Sequence, residues 1–556
     1  MYHTPGLRFA TPAVRPADTV VIGSGIAGLA TALALAPRPV TVLTKAAEGG
    51  SSWLAQGGVA CALGGDDSPR LHAEDTVAVG AGLTDPALAS LLTAEGVERI
   101  RGLIAAGMRF DAGADGAPAL GREAGHRRRR ILHAGGDGTG RALVRALLAL
   151  VRRAPSIELV EGALAWDLLV EDGRVRGVLA HDRATGWTVH RAPRVVLATG
   201  GIGQAFLYTT NPPEATGDGL AMAARAGAAL ADLEFVQFHP TALDVPQAAA
   251  GAPVPLLSEA LRGEGAVLRD ARGRRFMADE HPDADLAPRD IVARAVWRRR
   301  AAGEPVYLDA TAAVGDRFPA RFPTVFAHCR AAGLDPRVDP VPVAPAAHYH
   351  MGGILVDEHG RTTVDGLWAC GEAASTGVHG GNRLASNSLL EGLVFGHRVA
   401  ADVAACAVPA GAAPVPPLVV QPGLPEVAAR ARLAGLRRAM YDHVGLVRDG
   451  DGLGRAVAEL GALHDDLDGW AHVPGGPVPV PAHDAAALAV LRNLCLVGHM
   501  VALAAQARTE SRGAHWRRDC PLTDPAWQRR QVLHAPEAAG HRSAAAPAAA
   551  LSPAPA

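Results

Sequence analysis

Thr19-Val20-Val21-Ile22-Gly23-Ser24-Gly25-Ile26-Ala27-Gly28 is the stretch that decides the fold. Thr19 to Ile22 reads as a short buried strand. It runs directly into the GxGxxG turn Gly23-Ser24-Gly25-Ile26-Ala27-Gly28, and a helix is expected from Ala27 to Ala36, ended by Pro37. Val40-Thr41-Val42-Leu43 is the next strand, which completes a βαβ unit. The glycines permit a tight turn and close approach of a pyrophosphate, while the helix N-terminus offers N–H donors and a favourable dipole. In a chain with 64 glycines such a motif is weak alone. Its place between strand and helix makes it a dinucleotide site.

An NAD site usually carries an acidic residue about 20 positions further on. Here the second strand ends in Thr44-Lys45, which points away from NAD. Lys45 is either an FAD phosphate contact or a solvated strand-end lysine. Two more glycine-bearing strand ends follow, Ala198-Thr199-Gly200-Gly201 and Asp365-Gly366-Leu367-Trp368-Ala369-Cys370-Gly371-Glu372. Each alone could be a structural turn; the three in this order point to FAD.

Working outward, the opening to about Arg15 reads as irregular, and Val175–Ala180 with Trp187–His190 as paired strands before the buried strand Arg194–Ala198. Texture changes between Leu233 and Tyr349, with more prolines and several polar motifs. The stretch from Leu367, with a helix over Ser388–Ala405, then completes the nucleotide domain. Ala407–Gly423, rich in Pro, Ala and Val, reads as a linker. Helical patterns dominate from Pro425, and the Ala/Ser/Pro end reads as disordered.

A chain of 556 residues with 49% hydrophobic and 20% charged residues suits two or three globular domains. A net charge of -2 gives no reason to expect nucleic acid or an anionic membrane as the main partner. The six cysteines, Cys61, Cys329, Cys370, Cys406, Cys495 and Cys520, form no CxxC pair, so no metal site is expected, and their scarcity suits a reducing cytoplasm. No secretory signal is expected at the N-terminus. Ala485–Ala505 comes nearest to a membrane span, but Arg492, Asn493 and His499 interrupt it, so a buried helix is expected.

Ser51-Ser52-Trp53-Leu54-Ala55-Gln56-Gly57-Gly58 resembles the flavin-contacting segment of the succinate dehydrogenase/fumarate reductase flavoprotein superfamily. Further matches follow in the superfamily's order. They include Thr216-Gly217-Asp218-Gly219, Gln237-Phe238-His239-Pro240-Thr241, Ser258-Glu259-Ala260-Leu261-Arg262, Pro288-Arg289-Asp290, His348-Tyr349-His350-Met351-Gly352-Gly353, His379-Gly380-Gly381-Asn382-Arg383, Ser386-Asn387-Ser388-Leu389-Leu390 and Arg508-Thr509-Glu510-Ser511-Arg512-Gly513. The resemblance covers about Asp18 to Pro521. It implies an α/β Rossmann-like FAD-binding domain with an inserted α+β capping domain and a C-terminal helical domain. The expected division is residues 16–232 and 350–406 for the FAD-binding domain, 233–349 for the cap, 407–424 for a linker, 425–535 for the helical domain and 536–556 for a disordered tail.

The resemblance also implies the cofactor contacts. They are Gly23, Ser24, Gly25, Ile26, Ala27 and Gly28 in the turn, Lys45, then Ser51, Ser52, Ala55, Gln56, Gly57 and Gly58, and further on Thr199, Gly200, Asp218, Glu372, Ser388 and Leu389. Membrane-bound members carry a histidine where Ser51 stands, and it binds the flavin covalently. Serine cannot form that link, so FAD is expected to be held non-covalently.

Leu120-Gly121-Arg122-Glu123-Ala124-Gly125-His126, followed by Arg129-Arg130-Ile131-Leu132-His133, is similar to a signature of the aspartate oxidase branch. In that branch Glu123 faces the substrate's amino group. A carboxylate there makes physical sense, because L-aspartate presents an ammonium and succinate none. The run His126–Arg130 itself reads as a solvated charged face. His348 and Arg383 match the clamp for one substrate carboxylate; His239, with Thr241, Ser258 and Glu259, matches the clamp for the other. Arginine suits the task because its planar fork makes two parallel hydrogen bonds. Arg289 matches the arginine that moves a proton at the substrate, or it is a structural partner of Asp290 or Glu264.

The implied activity is oxidation of L-aspartate to iminoaspartate, with electrons passed to dioxygen or fumarate and the product to quinolinate synthase for NAD biosynthesis. The competing readings are a soluble fumarate reductase or succinate dehydrogenase flavoprotein subunit, a non-catalytic flavoprotein subunit, and an NAD-dependent dehydrogenase.

Overall fold

The computed structural model describes residues 8–114, 116–182, 185–246, 251–407, 415–470, 477–535 and 552–553. The opening unit forms as a Thr19–Ile22 strand, an Ile26–Leu35 helix and a Val40–Thr44 strand. Five parallel strands lie side by side in the order Leu367–Ala369, Val195–Leu197, Thr19–Ile22, Val40–Thr44 and Ile157–Glu161. Uninterrupted apolar strands are stable here because both faces of the sheet are covered. Val20 and Ile22 enter one core while Val21 enters the other. Each such buried aliphatic side chain contributes about 1.5–3 kcal/mol.

One face of the sheet is covered by the helices Ile26–Leu35, Thr139–Val151 and Asn387–Ala405. The first and last of these approach closely, because a Cβ at Gly396 would lie 2.8 Å from the Ala27 carbonyl oxygen. That contact sets the start of the Asn387–Ala405 helix beside the glycine turn, although 360 residues of chain separate them. The other face shares a core with an antiparallel sheet and with C-terminal helices. In that sheet Arg174–Asp182 and Gly186–Arg191 pair as the sequence suggests, flanked by Ala163–Glu171 and Ala13–Pro16.

The segment between the two parts of the nucleotide domain has a core of its own, including Leu268, Phe276, Val292, Leu308, Phe318 and Val343. Its four antiparallel strands lie in the order Val236–Leu243, Val341–His350, Tyr307–Asp309 and Val267–Arg269. The helix Arg289–Ala301 belongs to this body and presents its first residue to the cleft that the nucleotide domain also lines.

Two expectations are corrected. The opening is not irregular throughout, since Arg8–Ala10 and Ala13–Pro16 are strands. The stretch read as a linker, 407–424, contains the strand Leu418–Gln421, which lies between Arg8–Ala10 and Val478–Pro481. Its prolines argue against a strand locally, but partners on both sides satisfy the backbone of Leu418-Val419-Val420. Residues 408–414 lie outside the described residues. So does most of the expected disordered tail; of 536–556 only 552–553 are described, and they pair with Gln531–Val532.

The helices Glu426–His443, Gly450–Asp466 and Ala485–Ala507 follow. Among the described residues, Ala485–Ala507 is the one helix long and apolar enough to cross a membrane, and most of it is buried in the fold. Its polar interruptions turn inward. Arg492 donates to Asp167 at 2.8 Å, and Asn493 donates to Asp218 at 2.8 Å.

Candidate active site

A long cleft runs from the Gly23–Gly28 turn to the inserted body, so the glycine turn and the charged residues around Arg289 and Arg383 line one continuous space. At the turn, Gly23 has φ +111°, and a Cβ on it would lie 2.1 Å from the Ala198 carbonyl oxygen. A Cβ on Gly28 would lie 2.0 Å from the Gly23 carbonyl oxygen. Only glycine serves at either place.

Side chains complete the cradle. Ser24 Oγ meets Thr44 Oγ1 at 2.7 Å, and Ser52 Oγ accepts the Ile26 N–H at 3.2 Å. Lys45 Nζ pairs with Asp218 at 2.5 Å and donates to Thr216 at 2.7 Å. Burial alone would raise the Asp218 carboxyl; the Lys45 ammonium, with hydrogen bonds from Lys45, Asn493 and Thr216, reverses this and holds it below the ordinary range. Gln56 Oε1 and Asn211 Oδ1 are buried acceptors without a partner, on residues that line the cleft. A helix N-terminus open to a pyrophosphate, with unpartnered acceptors along the walls, fits FAD. Glu372 lies against this wall, its Oε1 accepting the His350 N–H at 3.1 Å, and burial pushes its carboxyl up to about 7.

The other end of the cleft is a cluster of buried charges. Arg289 opens its helix and donates Nε to Glu259 Oε2, while Glu259 Oε1 accepts from Arg262 at 2.8 Å. Gln237 Oε1 accepts from Arg289 at 2.9 Å and from Arg383 at 3.2 Å, so one amide oxygen spaces two guanidiniums. Arg383 also donates to Ser388 at 3.2 Å and lies over the Tyr349 ring at 4.4 Å. Among the described residues it forms no ion pair with a carboxylate, and its Nε is buried without an acceptor. Burial, with the Arg289 charge next, lowers it to about 10, which leaves it cationic at neutral pH. A guanidinium with that environment suits a carboxylate.

His239 and His348 face each other with ring centroids 5.1 Å apart. Burial first, and then the Arg289 charge, holds both well below the usual histidine range, so both are neutral. His348 Nδ1 meets Thr210 Oγ1 at 2.9 Å. Glu123 is 2% exposed. Its Oε2 accepts from Ser386 Oγ at 2.6 Å, and its Oε1 is buried with no partner. Burial, reinforced by the Glu259 charge, raises this carboxyl above the ordinary range.

The structure brings nearly all residues expected from the sequence to this one cleft; Gly28 and Thr241 are the exceptions. Gly28 acts by packing helix on strand. Thr241 is corrected from a substrate contact to a residue behind His239, where its hydroxyl donates to the Leu257 carbonyl at 2.9 Å. The alternative partners of Arg289 are not used: Asp290 pairs with Arg294 and Glu264 with Arg321. The arginine run is not a uniformly solvated face. Arg127 to Arg129 are exposed, but Arg130 is fully buried, with its fork on Asp67 at 2.8 and 2.9 Å and NH1 on Asp75 at 2.7 Å. Gln237, Tyr349 and Ser386 stood in the quoted motifs without a role; only their long-range partners give them one.

The sequence matches the family described as FAD binding domain over residues 18–389 and that described as fumarate reductase flavoprotein C-term over residues 434–546. It is 49% identical to an L-aspartate oxidase of Caulobacter vibrioides over 91% of this chain and 94% of the relative. It is 48% identical to one from Streptomyces coelicolor over 95% and 93%. Among solved structures, an E. coli quinol fumarate reductase variant superposes with TM-score 0.83 at 29% identity, over 94% of each chain. Mycobacterium smegmatis Sdh1 superposes with TM-score 0.76 at 33% identity, over 94% and 92%.

Proposed function

The chain belongs to the L-aspartate oxidases, an FAD-dependent oxidoreductase family, and from that membership we propose how this cleft oxidises L-aspartate to iminoaspartate. The observation that carries the account is the free, buried oxygen of Glu123 on the same cleft as Arg289 and Arg383. A dicarboxylate with an ammonium satisfies all three groups at once. Succinate would leave the buried Oε1 of Glu123 without a hydrogen-bond donor, which is why the reading of a succinate-oxidising subunit fits less well.

FAD, when bound, supplies the two-electron acceptor that the polypeptide lacks. Gly23 to Ala27, Lys45, Ser51, Ser52, Ala55, Gln56, Gly57, Gly58, Thr199, Gly200, Asp218, Glu372, Ser388 and Leu389 would hold it, without a covalent bond because Ser51 cannot make one. Arg383 and His348 take one substrate carboxylate, and His239 with Ser258 takes the other. Arg289, with Glu259 as its fixed counter-charge, faces the substrate and can pass a proton toward Glu259. Net loss from aspartate is two electrons and two protons; dioxygen going to hydrogen peroxide, or fumarate to succinate, takes up the same number.

The proposal extends to the division into FAD-binding, capping and helical domains, with cap closure excluding water around Arg289. It also extends to a cytoplasmic setting, where the six unpaired cysteines stay reduced, and to delivery of the product to quinolinate synthase. Turnover of FAD-loaded enzyme with L-aspartate, read as hydrogen peroxide in air and as succinate when fumarate replaces air, tests it. Wild type should give both products, and Glu123→Gln should retain FAD and lose about 10²-fold or more in kcat/KM. Undiminished turnover by Glu123→Gln would overturn the role of Glu123. Acid precipitation should release the flavin into solution; flavin remaining in the pellet would overturn the non-covalent assignment.

A further inference from the structure

Ser386 stands where a serine normally caps a helix, directly before Asn387–Ala405, yet its hydroxyl makes no capping bond. Its backbone is left-handed, with φ +61°. Serine is disfavoured in such a backbone conformation, and forgoing the cap adds to the cost. The surroundings enforce the conformation. The Ser386 carbonyl accepts the Ala60 N–H at 3.0 Å. On one side, His126 Nε2 meets the Ala385 carbonyl at 2.9 Å; on the other, His72 Nε2 meets Asn387 Oδ1 at 2.8 Å. The outcome is that the hydroxyl reaches across 263 residues of chain to Glu123 Oε2 at 2.6 Å.

We propose that Ser386 is a positioning residue that holds one oxygen of Glu123 so that the other, unpartnered and buried, is presented ionised to the substrate's ammonium. The inference rests on the proposed role of Glu123. The geometry leaves Glu123 little freedom: Oε2 is fixed by Ser386, and a Cβ on Gly57 would come within 3.2 Å of Oε1, so a larger residue there would crowd it. The charged groups facing Glu123 are Glu259 before the short Ala260–Gly263 helix, Arg289 at its helix start, and Arg383 in the loop ahead of Ser386. Burial and Glu259 favour the protonated acid; the Ser386 hydrogen bond and the two arginines favour the carboxylate. Without the hydroxyl the balance moves toward the acid, and a protonated Glu123 offers an ammonium nothing. Succinate carries no ammonium, so it gains nothing from the ionised form and binds better as Glu123 takes up a proton. One serine thereby biases the cleft toward the amino acid and away from the plain dicarboxylate.

The test uses FAD-loaded full-length enzyme with Ser386→Ala and Ser386→Gly. Glycine relieves the left-handed backbone and alanine does not, but both lack the hydroxyl. Flavin content confirms folding. KM and kcat/KM for L-aspartate are measured across pH, with succinate affinity taken from the perturbation of the flavin spectrum. Both variants should weaken L-aspartate relative to succinate by roughly tenfold, and the acid limb of kcat/KM should move to higher pH. An unchanged ratio with an unmoved limb in both variants overturns the proposal, as does equal weakening of the two ligands. A shift in Ser386→Ala that is absent in Ser386→Gly also overturns it, since the backbone would then be responsible. Failure of the underlying reading looks different: wild type itself would not be reduced by L-aspartate.

Discussion

The two ends of the cleft are built by opposite means. At the cofactor end, shape is set by backbone and by the absence of side chains. Gly23, Gly28 and Gly201 are places where a Cβ would lie between 2.0 and 2.2 Å from another atom. At the substrate end, shape is set by long charged side chains held by one another. Glu259 holds Arg289 and Arg262, and Gln237 spaces Arg289 from Arg383. A backbone cradle tolerates no side chain but needs no partner. A charge cluster is made of side chains that depend on one another, and it fails when a partner is lost, because the remaining ion is buried alone.

Substitutions can break or sharpen that contrast. The largest effect is expected from Gly23→Ala, where both φ +111° and the 2.1 Å approach to Ala198 forbid the methyl. The purified variant should carry no flavin, read as absorbance near 450 nm per protein; full flavin content would show that the turn is not built by exclusion. Next comes Arg383→Lys, which keeps the charge but loses the fork and the plane stacked on Tyr349. It should retain FAD while kcat/KM for L-aspartate falls by about 10²–10³.

A smaller effect is pH-dependent. Glu123 is raised above the usual carboxylate range, and its function needs the ionised form, which exists above its pKa. Activity therefore falls as pH drops through that raised value. His239 and His348 are neutral well below the usual histidine range and contribute no limb near pH 6.5. The acid limb should persist in His348→Asn and disappear from the residual activity of Glu123→Gln. Lys45→Met should do less, since Lys45 reaches the cofactor end alongside backbone donors; the dissociation constant for FAD should rise by about tenfold by fluorescence titration. The least effect on the cleft is expected from Arg130→Met. It strands Asp67, leaves Asp75 with Arg127 alone, and should lower stability by about 3–5 kcal/mol in denaturant, with KM for L-aspartate unchanged in the folded enzyme.

The same contrast explains what could be read from the sequence. Glycine spacing between a strand and a helix encodes the cofactor end locally, so the Gly23–Gly28 turn and the strand ends at Thr199 and Glu372 were legible, while Ser51 was legible through the family resemblance alone. The substrate residues were legible as types in motifs, but their pairing was not. Glu123 meets Ser386 across 263 positions and Gln237 meets Arg383 across 146, and no local pattern records either contact. Thr241 misleads because the strand slips register between His239 and Ala242, which leaves it behind the histidine rather than beside the substrate. Arg130 misleads because its neighbours Arg127 to Arg129 are exposed; its burial depends on Asp67 and Asp75, far back in the chain.

The central claim is that the substrate end is built for a dicarboxylate that carries an ammonium. Anaerobic mixing of the FAD-loaded enzyme with L-aspartate, and separately with succinate, tests it most directly when flavin absorbance is followed. Rapid bleaching by L-aspartate, with succinate binding but not bleaching, is the predicted result. Bleaching by succinate while L-aspartate leaves the flavin oxidised would contradict it.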